Sequence, residues 1–312
     1  MENRETYIET LHILYIMFGR KYQSLAQIGQ GKFGVVFKGV NIKTNESVAI
    51  KTVNPDNNSV INVLRHESTI LNYLYTSGCR CIPIVYWYGL ANDEYAMVIP
   101  LYQLSLTQIF SNKSDVRNRN IDKIDAIMLE LLNGLMSIHR SGIIHRDIKP
   151  DNIMFADGAF FFIDFGFATS YSKQKSIPDR NTTLIGSPKY ASINVHMGAE
   201  PNRRDDLISL GYVYLYMLFG ELDWVSNTDI DIDIDKDIDK CNLLSPYLMK
   251  IAAAKSLDNI TSFLILAKDK CKNMTKQFDY INKYLDVCCK LDITDSITID
   301  HLFFTLTPMK MT

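Results

Sequence analysis

The spacing of apolar and polar positions predicts a strand-rich first third of the chain. Between Tyr22 and Val53, short β-branched runs such as Val35–Phe37 and Val48–Ile50 are separated by polar turn residues. Two further apolar runs, Ile82–Tyr86 and Tyr95–Ile99, also fit strands. We therefore expect a β-sheet to dominate this part of the protein.

Helical spacing of apolar residues appears once within this region, around Val60 to Leu74, and prevails after Tyr102. A β-like interlude from Ile143 to Phe165 and an irregular stretch over 169–187 interrupt the helical pattern. The long helices predicted in this second part are Ile121–His139, Asp205–Phe219, Leu244–Ala254 and Phe278–Leu291.

These elements predict an α+β protein with two lobes. The small β-rich lobe, with one main helix, covers 18–102, and the larger, mostly helical lobe covers 103–312. Residues 1–17 form a predicted short helical extension before the first lobe. A chain of 312 residues is long enough for two lobes with separate cores.

Composition and charge exclude several classes of protein. The net charge of −2 gives no general attraction to nucleic acid or to an anionic membrane. The longest N-terminal apolar stretch, Ile13–Phe18, is far shorter than the ~20 residues of a membrane span. The spacing of the six cysteines favours reduced thiols over a zinc site. We expect an intracellular, cytoplasmic monomer with neither a nucleic acid nor a membrane partner, and entry into the nucleus is left open.

A glycine-rich segment, Gly29–Val36, fits the pattern G-x-G-x-x-G-x-V. Glycines allow a turn to approach phosphate groups closely. A dinucleotide-binding fold requires a helix directly after the third glycine, and here a β-branched run follows instead. The segment is therefore predicted to join two strands of a phosphate-binding hairpin.

Lys51 and Glu67 form a candidate pair behind this hairpin. Lys51 ends the strand sequence Val48–Lys51, where a phosphate-binding lysine is expected, and Glu67 lies on the predicted helix that follows. Taken singly, a surface strand lysine and a solvated helix glutamate would explain both residues. Their order after the glycine-rich segment favours an ion pair.

The segment Ile144–Asn152 carries the strongest chemical signal in the sequence. Phosphoryl transfer needs a carboxylate to align the attacking hydroxyl and accept its proton, which Asp147 would supply. Lys149 would neutralise charge on the transferring group, and Asn152 would hold Mg²⁺ together with Asp164 of the downstream Asp-Phe-Gly. This order and spacing match the catalytic-loop signature closely.

The chain resembles the eukaryotic-type protein kinases and, within them, the casein kinase 1 family, from about Phe18 to Phe304. The segment Gly186–Asn194 ends in Ser-Ile-Asn, the variant of that family, where most kinases have Ala-Pro-Glu. Arg203–Leu207 and Phe18–Tyr22 also resemble it. The resemblance implies the bilobal kinase fold and a Ser/Thr kinase that uses ATP and Mg²⁺ on protein substrates.

Further roles follow only from this resemblance. Ile99 would be the gatekeeper, and Pro100 would begin a hinge whose amide donor is Tyr102. Ser187 stands where the family has Thr and would bridge Asp147 and Lys149, while Asp206 would anchor the catalytic loop. The implied nucleotide-binding residues are Ile28, Gly29, Gly31, Gly34, Val36, Ala49, Lys51, Ile99, Pro100, Tyr102 and Met154, with Val36, Ala49 and Met154 around the adenine.

The substrate-binding region departs from the family. Lys189 stands where the family has an Arg of a basic anion site, and Lys lacks the bidentate fork. Downstream, the segment 229–239 alternates Asp with mostly Ile, which the family pattern does not predict. One interpretation is a solvated loop or a protected edge strand. The other is a reversed charge preference that favours basic or neutral substrates.

The sequence leaves alternatives open for how activity is regulated and for the function itself. Arg146 is the Arg of the His-Arg-Asp motif, which in many kinases binds a phosphorylated activation segment. The candidate phosphate acceptors in this chain are Ser172, Ser176, Thr182 and Thr183. The resemblance implies constitutive activity instead. Two other functions compete: a pseudokinase scaffold that retains ATP binding, and a small-molecule kinase of the aminoglycoside type. The first would typically lack Lys51, Asp147 or Asp164, and the second would lack the Ser-Ile-Asn segment.

Overall fold

The described part of the chain forms two compact units. The first comprises the described residues of Met1–Ser68 and Ile84–Leu101, and the second comprises those of Thr69–Pro83 and Tyr102–Thr312. The structure, a computed structural model, describes residues 16–31, 34–53, 58–111, 119–171, 184–220, 222, 246–270 and 274–291. Outside these ranges lie the predicted N-terminal helix up to residue 15, the acidic segment 229–239 and the candidate acceptors Ser172, Ser176, Thr182 and Thr183.

The first unit contains an antiparallel six-stranded sheet in the order β1-β2-β3-β4-β6-β5. Its core includes Phe18, Val48, Ile50, Ala96 and Val98, all fully buried. Alternate residues of neighbouring strands supply these side chains, as expected for a sheet that buries one face. The strands are β1 Met17–Phe18, β2 Tyr22–Gly31, β3 Gly34–Asn41, β4 Ser47–Val53, β5 Trp87–Ala91 and β6 Glu94–Pro100.

The strand predicted at Ile82–Tyr86 is wrong. The strand in this region is β5, which begins at Trp87 and pairs with β6 through a two-residue turn at Asn92 and Asp93. Both turn residues have positive φ values, 50° and 61°, as a type I′ hairpin requires. Pro83 has no amide hydrogen to give to a sheet, so the apolar run before Trp87 remains a connection.

The main helix of the β-rich region is α1, Asn58–Thr76, which confirms the prediction around Val60 to Leu74. Its buried apolar residues include Ile61, Leu64, Leu71 and Leu74. Their spacing of three or seven residues places them along one stripe of the helix. Glu67 lies within this stripe and is also buried.

The second unit is mostly helical around α5, Arg203–Phe219. Every residue from Asp205 to Leu218 is buried, so α5 is a central helix rather than an amphipathic surface helix. Asn202 caps its N-terminus with a capping box to Asp205. The other helices are α2 Leu106–Ile109, α3 Ile121–Arg140, α4 Ile193–His196, α6 Pro246–Ala254, α7 Leu257–Lys270 and α8 Thr275–Lys290.

Sequence periodicity predicted α3, α5, α6 and α8 and missed α7. The α7 segment contains Asp258, Asn259, Thr261 and Ser262, residue types of low helix propensity that blur the apolar spacing. Tertiary packing overrides this weak local preference. None of the helices in the described ranges is both long and apolar enough to span a membrane.

Five short strands belong to the described part of the second unit, one just before α2 and four between the end of α3 and residue 170. They are β7 Leu104–Ser105, β8 Ile143–Ile144, β9 Ile153–Ala156, β10 Ala159–Phe162 and β11 Thr169–Ser170. β9 pairs with β10 on one side and with β7 on the other, while β8 pairs with β11. These two small sheets hold the loops that carry the candidate catalytic residues.

Candidate active site

Lys51 and Glu67 form an ion pair within the first unit. Lys51 Nζ lies 2.7 Å from Glu67 Oε2, and the glutamate side chain is only 3% exposed. The lysine comes from β4 and the glutamate from the buried stripe of α1. A buried carboxylate costs free energy unless it is paired, so the helix and the strand are tied together at this point. The predicted pair is present.

Four predicted nucleotide-binding residues share one face of the sheet. Val36 is opposite Lys51, and Ala49 is opposite Ile99. Opposed residues, and residues two positions apart along a strand, point to the same face. Val36, Ala49, Lys51 and Ile99 therefore lie together, with Gly29 next along the row, opposite Val36.

The glycine-rich turn joins β2 to β3, as predicted. Gly31 pairs with Gly34, and the turn residues 32 and 33 lie outside the described ranges. Gly34 has φ of +137°, and a Cβ there would overlap the backbone oxygen of Thr52. Only glycine fits this position. Ile28, at an irregularity in the pairing of β2, is 52% exposed.

Asp147 is a buried carboxylate with one oxygen engaged and the other unpaired. Its Oδ2 lies 3.0 Å from Lys149 Nζ and accepts a hydrogen bond of 3.0 Å from Asn152 Nδ2. Its Oδ1 is buried without a hydrogen-bond partner. An unpaired buried carboxylate oxygen is costly, so this atom is suited to receive a hydroxyl donor from a bound substrate.

Lys149 joins the catalytic loop to Ser187. Its Nζ donates a hydrogen bond of 2.9 Å to Ser187 Oγ. Burial opposes its charge, but the carboxylates of Asp147, Asp164 and Asp151 outweigh burial and raise the pKa of Lys149. The ammonium is therefore kept charged. Of the two contacts predicted for Ser187, with Asp147 and with Lys149, the structure shows the one with Lys149.

Asn152 and Asp164 are joined through the backbone. The amide of Ile163, next to Asp164, donates to Asn152 O at 2.9 Å. Both side-chain hydrogen bonds of Asn152 use Nδ2, to the backbone oxygen and to Oδ2 of Asp147. This orientation leaves the harder ligand, Oδ1, for a cation. Asp164 has φ of 64° at the start of the short 3₁₀ turn Phe165–Phe167.

This donor set suits Mg²⁺, which takes oxygen ligands and commonly binds through one or two protein groups plus phosphates and water. Within the described ranges, His, Cys, Asp and Glu side chains make no cluster of three or more that could hold a metal. An amide oxygen and a carboxylate are thus a partial shell that nucleotide phosphates would complete.

Asp206 anchors the catalytic loop, as the resemblance implied. Its two oxygens accept hydrogen bonds of 2.8 Å from the amides of His145 and Arg146, and His139 Nε2 lies 2.9 Å from Oδ2. Burial favours its neutral form, but the His139 hydrogen bond and the neighbouring histidines and amides outweigh burial and lower the Asp206 pKa. The ionised carboxylate fixes Arg146 with φ of 71°, an uncommon conformation for a non-glycine residue.

Gly186 brings the end of the activation segment against this loop. Its φ is +85°, and a Cβ would overlap Arg146 O and lie 3.5 Å from Asp147 Oδ1. Glycine is therefore required for the close approach of the two chains. The neighbouring Ser187 reaches Lys149 because of this approach.

The remaining predicted residues lie on β6, on β9 and in two segments that connect elements. Met154 on β9 pairs with Phe161 of β10, and the Tyr102 ring lies 4.8 Å from the Phe161 ring. Pro100 ends β6 opposite Val48. Lys189 Nζ lies 5.8 Å and 5.9 Å from the ring centres of Tyr190 and Tyr216, a cation–π arrangement.

Sequence spacing missed two partners of the site. Glu200 Oε1 lies 2.6 Å from Arg146 Nη1, and Lys255 binds backbone oxygens next to Ser187. Both are ordinary charged residues in the sequence, and neither stands in a motif. Only the tertiary fold brings them to the loop.

The arrangement of strands and helices, with a carboxylate, a lysine and an amide on one loop, is that of a phosphotransferase. A family model described as the protein kinase domain matches residues 22–304. The chain therefore belongs to the protein kinase family, and the predicted bilobal α+β kinase fold is confirmed.

Proposed function

We propose that this protein kinase is an active, ATP- and Mg²⁺-dependent Ser/Thr kinase of the casein kinase 1 type. The observation that carries the proposal is the buried, unpaired Oδ1 of Asp147 beside the charged Lys149. Asp147 Oδ1 accepts the proton of a substrate hydroxyl while the hydroxyl oxygen forms a bond to the γ-phosphorus of ATP. Lys149 stabilises the negative charge on the transferring group while the bond to the β–γ bridging oxygen breaks, which releases ADP.

ATP and Mg²⁺ have suitable ligands among this chain's residues. Lys51, held by Glu67, binds the α- and β-phosphates, and the face formed by Val36, Ala49 and Ile99 receives the adenine. Asn152 and Asp164 hold Mg²⁺, which neutralises phosphate charge when bound. A pseudokinase scaffold is the alternative, and the presence of Lys51, Asp147 and Asp164 together argues against it.

Selectivity for Ser and Thr rests on Lys149 and on the resemblance of the Ser-Ile-Asn segment to casein kinase 1. Charge preference rests on two opposing features. Lys189 offers one cation to an acidic substrate, beside the rings of Tyr190 and Tyr216. The alternating aspartates over 229–239 would repel an acidic substrate. We propose that basic or neutral peptides are preferred.

Assays with labelled ATP test this function on matched peptides that differ only in acceptor and flanking charge. We expect transfer to Ser and Thr peptides and none to Tyr peptides, with the basic peptide turned over faster than the acidic or phosphorylated one. Asp164→Asn, which weakens the Mg²⁺ ligand set, is the inactive control. Equal, negligible transfer by parent and control would support the scaffold, and a strong preference for the phosphorylated acidic peptide would contradict the charge reversal.

Activity without activation-segment phosphorylation is supported by the ion pair between Arg146 and Glu200. Arg146 Nη1 lies 2.6 Å from Glu200 Oε1, and its Nε donates to Phe167 O at 2.5 Å. In kinases switched by phosphorylation, the equivalent Arg binds the phosphate. Here the carboxylate of Glu200, in the same chain, pairs with the guanidinium of Arg146.

We therefore expect phosphatase treatment to leave the activity of the parent enzyme unchanged. Glu200→Gln, which removes the charge while keeping the shape, should lower kcat by up to about fivefold, because the loop loses a partly exposed ion pair worth up to about 1 kcal/mol. Steady-state kinetics before and after phosphatase treatment measures both effects. A parent enzyme inactivated by dephosphorylation would refute the idea.

A further inference from the structure

Lys255 is a buried lysine directly after α6. Its side chain is 1% exposed, and its Nζ donates hydrogen bonds of 2.6 Å to both Pro188 O and Ala191 O. It also lies 3.2 Å from His196 Nε2. Burial of a lysine is costly unless its head group is hydrogen-bonded. The two carbonyl oxygens, Pro188 O and Ala191 O, belong to one short backbone turn.

That turn, residues 187–191, is held at each end. The amides of Tyr190 and Ala191 both donate to Ser187 O at 2.9 Å, which closes the turn. Ser209 Oγ of α5 donates to Tyr190 O at 2.7 Å. Lys255 adds the contacts to Pro188 O and Ala191 O, so its single head group fastens two points of the turn to the end of α6.

The 187–191 turn is continuous with the candidate catalytic residues. Ser187 Oγ accepts a hydrogen bond from Lys149 Nζ, which in turn lies 3.0 Å from Asp147 Oδ2. Pro188 lies between Ser187 and Lys189 in the chain. A shift of Pro188 O would therefore move both Ser187 and Lys189.

We propose that Lys255 is a positioning residue that holds the 187–191 turn in the conformation that receives an extended polypeptide substrate. The inference rests on the proposed kinase function and deepens it by naming a determinant of substrate binding. None of the nucleotide-binding candidates lies on this turn, so Lys255 acts on peptide binding and not on ATP binding.

The hydrogen bonds that carry this role persist in either charge state of the lysine. Burial lowers the Lys255 pKa well below its usual value. An ammonium and a neutral amine both have at least two N–H donors, enough for the two carbonyl oxygens. Burial, followed by the Lys255 charge, lowers the His196 pKa to about 3, so His196 is neutral at assay pH.

Lys255→Met is the direct test, because methionine fills a similar volume and has no donor. We expect the KM for peptide to rise on the order of tenfold, with the KM for ATP within about twofold of the parent value. Hydrogen exchange without substrates should accelerate at the amides of Tyr190 and Ala191. Lys250→Met removes an exposed lysine of α6 and should match the parent in all three measurements.

Each result has a definite meaning. A folded Lys255→Met variant with the parent's peptide KM would overturn the proposal, as would unchanged exchange at Tyr190 and Ala191. If Lys255→Met does not fold, Lys255→Gln, with a shorter stem and a neutral amide, takes its place. The expected result is the same: a higher KM for peptide and a KM for ATP close to the parent value. A parent that phosphorylates no peptide would refute the proposed function and this substrate role with it, whereas an active parent with an unaffected variant refutes Lys255 alone.

Discussion

Asp147→Asn is expected to reduce kcat by about a thousandfold, within the range attributed to a general base. Oδ2 accepts from both Lys149 Nζ and Asn152 Nδ2, so an asparagine must place its amide oxygen there. Its NH₂ group then takes the Oδ1 position and presents a donor to the substrate hydroxyl. A donor cannot accept the hydroxyl proton, although the loop keeps its hydrogen bonds.

The measurement is single-turnover transfer from labelled ATP, with nucleotide affinity determined separately by titration. We expect ATP affinity to change only a few fold, because the loss falls on the chemical step. Asp157→Asn makes the same chemical change at an exposed residue of the β9–β10 turn and should retain parental activity. Parental kcat in Asp147→Asn would exclude Asp147 as the base.

Asp206→Asn is expected to lower the free energy of unfolding by about 3–5 kcal/mol, the cost of disrupting a buried, paired charge. Asp206 accepts hydrogen bonds at both oxygens, from Arg146 N at Oδ1 and from His145 N at Oδ2. An asparagine offers only one oxygen, so its NH₂ group must face a backbone N–H. The effect exceeds the loss of one hydrogen bond because a buried donor is also left unsatisfied.

Denaturant unfolding of parent and variant measures this loss, and Asp258→Asn, at an exposed position in the first turn of α7, is the matched control. The pH dependence gives a second measurement. Because the folded-state pKa of Asp206 is lowered, its contribution is present above the unfolded value of about 3.9 and is lost as the pH falls through the folded value. The stability difference between parent and variant should therefore shrink in acid. A difference that stays constant down to strongly acidic pH would contradict the anchor role.

The candidate site was predictable where its residues stand in fixed-order motifs. Asp147, Lys149 and Asn152 lie within six residues of one another, so loop geometry limits their separation. The Lys51–Glu67 pair was predictable from order alone, and the structure places its two atoms 2.7 Å apart. The sheet register then explains why Val36, Ala49 and Ile99 belong with Lys51: all four are on one face.

Predictions from local pattern failed where tertiary packing or backbone chemistry overrode it. The run Ile82–Tyr86 has strand-like residues but contains Pro83, and the strand forms at Trp87–Ala91 instead. The helix α7 forms despite its polar, weakly helical residues. Burial in a folded protein supplies more free energy than such local preferences.

The sequence by itself determined the α+β class and the order of the main elements, and it predicted the motif residues that are candidates for binding phosphate, metal and hydroxyl. The tertiary structure alone revealed the partners that fix those residues: Glu200 beside Arg146, Lys255 under the turn that carries Ser187, and the unpaired Oδ1 of Asp147. The physical reason is the distance along the chain between the interacting residues. Motif spacing constrains neighbours in the chain, whereas an ion pair between positions 146 and 200 or a hydrogen bond from position 255 to 188 depends on how distant segments pack.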